Sequence, residues 1–295
     1  SIIRYPSTMN IPIESLSLIM LHVGFSRHHA DWNWQGVSSP FTRLFLVTEG
    51  EAKIHLPSEV VTLRPGHVYM VPAYVPHSYE CHGDFALYYL HVYEEFKSEA
   101  GILEAFDFPT EVCADELDKA AFAAICHTYQ GAALPSSNPD IYDNTNGMAC
   151  SIERYHALPL HDKMRLRGFA LTLFARFVKH AQPRVWTKDE RIIRVMLHIR
   201  AHITDTITLD ELASIACVTK SYLIRLFTHT MGMSPVRYVN RKKMERAQLI
   251  LLTEQVPVKE VAYRLGFSDH SYFIRLFRQT VGISPQEYRR RNGRS

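Results

Sequence analysis

An eighteen-residue stretch occurs twice in this chain, and the repeat constrains the fold more than any other feature. Ser221-Tyr-Leu-Ile-Arg-Leu-Phe-Thr-His-Thr-Met-Gly-Met-Ser-Pro-Val-Arg-Tyr238 returns fifty residues later as Ser271-Tyr-Phe-Ile-Arg-Leu-Phe-Arg-Gln-Thr-Val-Gly-Ile-Ser-Pro-Gln-Glu-Tyr288, with eleven of eighteen positions identical. Leu209-Asp-Glu-Leu-Ala213 and Val258-Lys-Glu-Val-Ala262 extend the match upstream. A solenoid needs about three units or more, so two copies read as one supersecondary unit duplicated. Each unit reads as helix, tight turn, helix. Thr208 with Glu211 makes a capping box, and Pro257 stands near a first helical position. Gly266 supplies positive φ in the second turn. Thr219, and Ser268 or Asp269, cap the helices that follow. Leu223, Leu226 and Phe227, repeated as Phe273, Leu276 and Phe277, form the apolar stripe of each second helix. Gly232 and Gly282 terminate those helices, and Ser234-Pro235 and Ser284-Pro285 open the next ones.

Charge gives the repeat a direction. Residues 184–295 hold 20 Lys and Arg against 10 Asp and Glu, whereas residues 1–183 hold 13 against 20. The dull reading is a duplicated packing unit with solvated arginines. A duplicated helix-turn-helix on the basic part of a charge-split chain points instead to nucleic acid. The segment from Pro235 to about Leu252 has no internal Gly or Pro after its start and reads as one helix of roughly 25–30 Å. Such a strut holds two recognition helices about one DNA turn apart, roughly 34 Å, facing successive major-groove segments.

The second unit, Ala262-x-x-x-Gly266-Phe-x-x-x-x-Tyr-Phe273-x-Arg-x-Phe277-x-x-x-x-Gly282-x-Ser-Pro285-x-x-Tyr-Arg289, resembles the DNA-binding domain of the AraC family of bacterial transcription regulators. The resemblance covers about Lys188 to Arg291. It implies base contacts from Ser221, Ile224 and Arg225 in the first unit, and from His270, Ser271, Ile274 and Arg275 in the second. Arginines suit guanine edges and isoleucines suit thymine methyls. Lys220, Arg241, Lys242, Arg278 and Arg289 suit phosphates, which position the protein without reading sequence.

At 295 residues the chain suggests about two domains. It has no apolar run of 18 residues or more, so no membrane span is expected. The opening Ser1-Ile-Ile-Arg-Tyr-Pro does not read as a signal peptide. Five scattered cysteines without a Cys-x-x-Cys suit reduced thiols in a cytoplasmic protein. Residues 13–110 read mostly as short strands separated by turn signals, among them Glu49-Gly50-Glu51 and Arg64-Pro-Gly-His67, which suggests a small barrel or jelly roll. Gly50, Pro65-Gly66 and Pro76-His77 resemble the cupin-like sensor of the same family. His77 stands where a cupin's later metal-binding His would, but the His-x-His pair is missing, and His28 and His29 point to opposite faces of a strand. No metal or other cofactor is therefore expected. A small-molecule pocket in the barrel mouth is. Aligned by the turns, the family's sugar-contacting positions fall on Glu49, Tyr79, Tyr89 and His91, with Trp32 and Trp34 placed to close the pocket. Glu49 stands where the family's arabinose pattern has a positive residue, which argues against arabinose itself. The bland alternative is that these aromatics are core or rim residues.

Residues 111–183 change character. Asp115 to Tyr129 reads as a helix, Gly131 to Asn146 as a polar loop, and Asp162 to His180 as a second helix with a stripe of Leu166, Phe169, Leu173 and Phe177. That stripe suits packing within its own domain, and the resemblance implies that helices in this place pair two subunits. The expected architecture is α+β and multidomain. A cupin-like barrel at 1–110 senses a ligand, a helical segment at 111–180 dimerises, 181–187 is a linker, and an all-α domain at 188–295 carries two helix-turn-helix units. The expected function is a ligand-responsive regulator that binds duplex DNA as a homodimer. The resemblance implies activation, RNA polymerase as a partner, and a sugar or related metabolite as effector. A cupin metalloenzyme fused to a DNA-binding domain, and a regulator with no ligand, are the alternatives.

Overall fold

The structure, a computed structural model, describes residues 13–95, 102–137, 145–183 and 189–291. After a short 3-10 turn at Ile13–Ser15, the chain builds two antiparallel sheets facing each other as a barrel. The larger contains β1 (Leu18–His29), β7 (Asp84–Glu94), β2 (Thr42–Gly50), β5 (His67–Val71) and β9 (Glu111–Cys113), in that spatial order. The smaller contains β4 (Val60–Leu63), β3 (Ala52–His55) and β6 (Ser78–Glu80).

Strand alternation divides the larger sheet into two buried faces. Phe45, Val47, Tyr69, Val71, Phe85, Leu87 and Tyr89 point into the barrel with Trp32 and Tyr79. Leu44, Leu46, Val68, Met70, Leu90 and Val92 point outward, under the helices. The Glu49-Gly50-Glu51 turn depends on its glycine. Gly50 sits at φ 67°, and a Cβ there would lie 1.8 Å from the Asp84 carbonyl oxygen. Gly50→Ala is expected to destabilise the barrel by more than about 2 kcal/mol in chemical denaturation; an unchanged midpoint would contradict this account of the turn.

The covering helices are α1 (Ile102–Ala105), α2 (Glu116–Thr128), α3 (Thr145–Ala157) and α4 (Leu160–Val178). Asp115 and Asp118 close a capping box at the start of α2. Leu166, Phe169, Leu173 and Phe177 are all buried within this domain, so the α4 stripe holds its own subunit together. Helix α3 falls at the end of a stretch expected as polar loop. Between α1 and α2, β8 (Phe106–Asp107) precedes β9 and pairs with β10 (Gln182–Pro183). The expected linker therefore begins as a strand, and residues 184–188 lie outside the described residues.

The C-terminal domain is all helix: α5 (Glu190–Ala201), α6 (Leu209–Ile215), α7 (Lys220–Met231), α8 (Pro235–Thr253), α9 (Val258–Arg264), α10 (His270–Val281) and α11 (Pro285–Arg291). Its local signals act where the sequence places them. Thr208 and Glu211 form the capping box of α6, Thr219 caps α7, and Asp269 caps α10. Gly232 and Gly282 end α7 and α10 in the left-handed region. The two units keep separate cores. Leu223, Phe227 and Tyr238 pack with Ile192, Val195 and Ile199. Phe273, Phe277 and Tyr288 instead join one apolar cluster with Met244, Leu251 and the outer face of the barrel. Helix α3 packs directly on α8, which makes the second unit continuous with the N-terminal half.

Candidate functional site

Each second helix buries one stripe and exposes the other. In α7, Leu223 and Phe227 are fully buried, while Lys220, Ser221, Ile224 and Arg225 are exposed. In α10, Phe273 and Phe277 are buried, and Ser271, Arg275 and Arg278 are exposed. Neither the Arg275 nor the Arg278 side chain forms a hydrogen bond or ion pair among the described residues. Arg225 lies 5.9 Å from the Tyr222 ring, which Arg191 flanks at 5.4 Å. Tyr222 and Tyr272 are exposed aromatics on these faces. Sequence reading passed over both, although their repetition in the two units was the available signal.

Other expected DNA contacts are placed differently. His270 and Ile274 are half-buried, and Ile274 packs against the core. Lys220 pairs with Asp210 at 2.7 Å, an exposed pair worth little and easily exchanged for a phosphate. On α8, Lys242 donates to Glu245 at 2.8 Å and Arg241 lies 4.0 Å from the same carboxylate. Arg289 is half-buried, and its Nε and one terminal nitrogen are buried without hydrogen bonds. Burial lowers its pKa. An inward-turned guanidinium of this kind differs from the solvent-facing phosphate contact expected of Arg289.

The second candidate region is a cavity of about 250 Å³ in the barrel. Trp32, Tyr79, Tyr89 and His91 line it, as expected, with Phe45, Leu87 and Leu134. Trp32 stacks on Tyr79 with ring centroids 4.0 Å apart. The Tyr89 hydroxyl accepts the Leu134 N–H at 2.8 Å, which ties the loop before α3 to the cavity wall. Polar groups come from Ser26, Arg27, His28, Asp31, Ser136 and Ser137, none of which the sequence singled out as ligand contacts. Glu49 is not among the lining residues. It is exposed and takes Arg27 in a bidentate ion pair at 2.5 and 2.8 Å. Trp34 packs beside the barrel core without lining the cavity.

Behind the cavity wall runs a chain of hydrogen bonds. The Ser151 hydroxyl donates to the Gly147 carbonyl at 2.8 Å, so it accepts from His22 Nε2 at 3.1 Å. His22 Nδ1 is then the acceptor for His91 Nδ1–H at 3.2 Å. Burial, reinforced by Arg154 and Arg43, lowers the His22 pKa to about 3. Burial, with Arg43, His22 and His77, holds His91 well below its usual value. The chain starts at a cavity-lining ring and ends on α3, the helix that rests on α8. His77 lies within the barrel with Nδ1 donating to the Val75 carbonyl and Nε2 accepting from Tyr79. No group of three or more His, Cys, Asp or Glu side chains able to hold a metal ion occurs among the described residues. Nor is any helix among them long and apolar enough to cross a membrane.

Comparison with known proteins divides along the same lines. A helix-turn-helix domain family matches residues 212–291 and a cupin domain family matches residues 39–93. The probable transcriptional regulator LumQ of Photobacterium leiognathi is 35% identical over 86 residues, 28% of this chain and 35% of that protein. The chain spans about a third of the length of the first curated relatives it matches. The arabinose operon regulatory protein of Salmonella typhimurium is 25% identical over 230 residues, 77% of this chain and 75% of that protein. The crystal structure of unsaturated fatty acid-bound ToxT from Vibrio cholerae superposes with a TM-score of 0.52 at 14% identity, over 92% of this chain and 94% of that one. That last likeness concerns the fold alone.

Proposed function

We propose that this chain, which belongs to the AraC family of transcription regulators, reads two adjacent major-groove segments and changes its grip when a small molecule enters the barrel. The observation that carries the reading is the paired presentation of α7 and α10. Two copies of one basic helix face are exposed on a domain whose strut, α8, is 19 residues or roughly 28 Å long. Arg225 and Arg275 stand at the same place in each copy and serve as base readers. Lys220 and Arg278 serve the phosphates.

The cavity favours a compact, polar effector. Its volume of about 250 Å³ falls below the range of about 300–1,000 Å³ usual for drug-sized ligands. Aromatic faces from Trp32, Tyr79 and Tyr89 suit the C–H surface of a sugar ring, and Arg27, His28, Asp31 and the serines suit its hydroxyls or a carboxylate. The relationship to an arabinose operon regulator supports a sugar or sugar acid. The fatty acid bound by a protein of like fold names the competing class to test. The chain His91–His22–Ser151 offers a route from cavity to α3 and on to the strut. Such a route acts only if the ligand binds two arrangements with different affinity. Exposed Leu160 and Met164 on α4, and Leu117 on α2, are the surface proposed for a homodimer, and activation of transcription is the proposed outcome.

Thermal unfolding of the full chain against sugars, sugar acids and fatty acids tests the effector class. A true ligand at a hundred times its dissociation constant should add about 2.7 kcal/mol, and Tyr89→Ala should abolish the gain. Stabilisation by fatty acids alone would replace the sugar reading. A flat response to all three classes, with DNA binding intact, would leave a regulator whose barrel takes none of them.

A further inference from the structure

The two helix-turn-helix units have separate apolar cores, so a shared core does not fix how one recognition helix faces the other. What joins them is α8 and one polar junction at its middle. Lys243, only 4% exposed, lies there. Its ammonium donates to the Leu265 carbonyl at 2.5 Å and to the Asp205 carbonyl. Leu265 closes α9 in the turn of the second unit, and Asp205 sits in the loop that leads into α6 of the first. Lys243 also stands 5.3 Å from the centroid of Phe267.

The junction is built around that ammonium. Thr206 donates its hydroxyl to the Gly266 carbonyl at 3.1 Å, a second link between the same two segments. Gly266 lies at φ 73°, and a Cβ there would fall 2.6 Å from the Asp205 carbonyl carbon. The two loops are therefore in backbone contact, at a distance that only glycine allows. Burying a lysine is costly unless its donors are satisfied. Here two backbone carbonyls, one from each unit, take two of its three protons. The repeat itself does not account for this residue: a lysine that only capped its own helix would not bridge two loops 60 residues apart.

We propose that Lys243 is a positioning residue that fixes the separation and relative orientation of the two recognition helices, and thereby the spacing between the two DNA segments this chain accepts. The proposal rests on the two-segment reading given above. A buried ammonium with backbone acceptors suits this task because carbonyls cannot be lost to a neighbouring side chain's rotamer. With the clasp removed, α6 and α7 stay folded on their own core and pivot about the first half of α8.

The test uses the full chain and a duplex selected from a random pool by the unmutated protein. One to three base pairs are then inserted or deleted between the two protected segments. The unmutated chain is expected to lose affinity steeply with any change of spacing. Lys243→Met keeps the aliphatic stem and removes the donors. It should weaken binding to the selected duplex by about tenfold, as expected for losing hydrogen bonds to a charged group, and should flatten the spacing dependence. Thr206→Val, which leaves Lys243 in place, should do the same to a smaller degree and serves if Lys243→Met fails to fold. A steep, unshifted spacing profile in the folded variants would overturn the role of Lys243 while leaving two-segment reading intact. A footprint of the unmutated chain confined to one segment would overturn both.

Discussion

Replacing Arg225 and Arg275 together with alanine is expected to weaken binding to a selected duplex by about 30-fold to 10⁴-fold, since each bidentate arginine–guanine contact is worth about 1–3 kcal/mol. Both side chains are exposed, and both lie across the helix from the buried pairs Leu223–Phe227 and Phe273–Phe277. The unfolding midpoint should therefore stay where it is, which separates lost recognition from lost fold. The single variants should each relax sequence preference within one segment, Arg225→Ala in one and Arg275→Ala in the other. Arg278→Ala provides the contrast. As a phosphate contact it should weaken binding uniformly across sequences and reduce the salt slope by about one. Titration of each variant by fluorescence anisotropy at several salt concentrations gives all of these quantities. If the double variant binds the selected duplex as the unmutated chain does, with the same salt slope, α7 and α10 are not the reading helices.

The C-terminal half could be read from sequence to this depth because its signals are local. Thr208 with Glu211, Thr219, Asp269, Gly232 and Gly282 each act within four residues of themselves, and the duplication states every signal twice. The N-terminal half depends on contacts distant in sequence, and two details were lost there. Glu49 shares the alternation of Phe45 and Val47, which would aim it into the barrel. A register shift between Val47 and Glu49 breaks that alternation, and Glu49 turns out to Arg27. Helix α3 buries only Met148, Ser151 and Tyr155 among its described side chains. A three-residue stripe with serine at its centre, beginning at Asn146-Gly147, gives neither an apolar period nor a helix start. Its burial is dictated by His22, 129 residues away. Lys243 carried no signal at all, because the groups that hold it are backbone carbonyls. The exposed faces and the cavity aromatics were legible, whereas the junctions that connect them were not.

The barrel and its junction with α3 hold three histidines kept neutral, and their burial predicts how the barrel responds to acid. His22 and His77 are each lowered to about 3, by burial first and then by nearby arginine charge, and His91 is held well below its usual value by burial first, then Arg43, His22 and His77. In the unfolded chain each titrates near 6.5. Between pH 6.5 and about 3 the unfolded chain therefore binds more protons than the native one, so stability rises with pH across that window and is lost as pH falls through it. Each group contributes about 1.36 kcal/mol per pH unit there. Going from pH 7.5 to 5.5 should cost the barrel roughly 4 kcal/mol if all three stay neutral. Urea denaturation followed by tryptophan fluorescence measures this, since Trp32 stacks on both His28 and Tyr79 inside the barrel. His22→Gln should remove about a third of the pH dependence. A stability that is level between pH 7.5 and 5.5 would mean that these rings are not buried as neutral groups. Protonation would strike the same bonds that join the cavity to α3. His22 and His91 share one proton between facing Nδ1 atoms, and a second proton leaves two donors facing each other with no acceptor. Acid that destabilises the barrel should thus also uncouple it from the helix that rests on the DNA-binding strut.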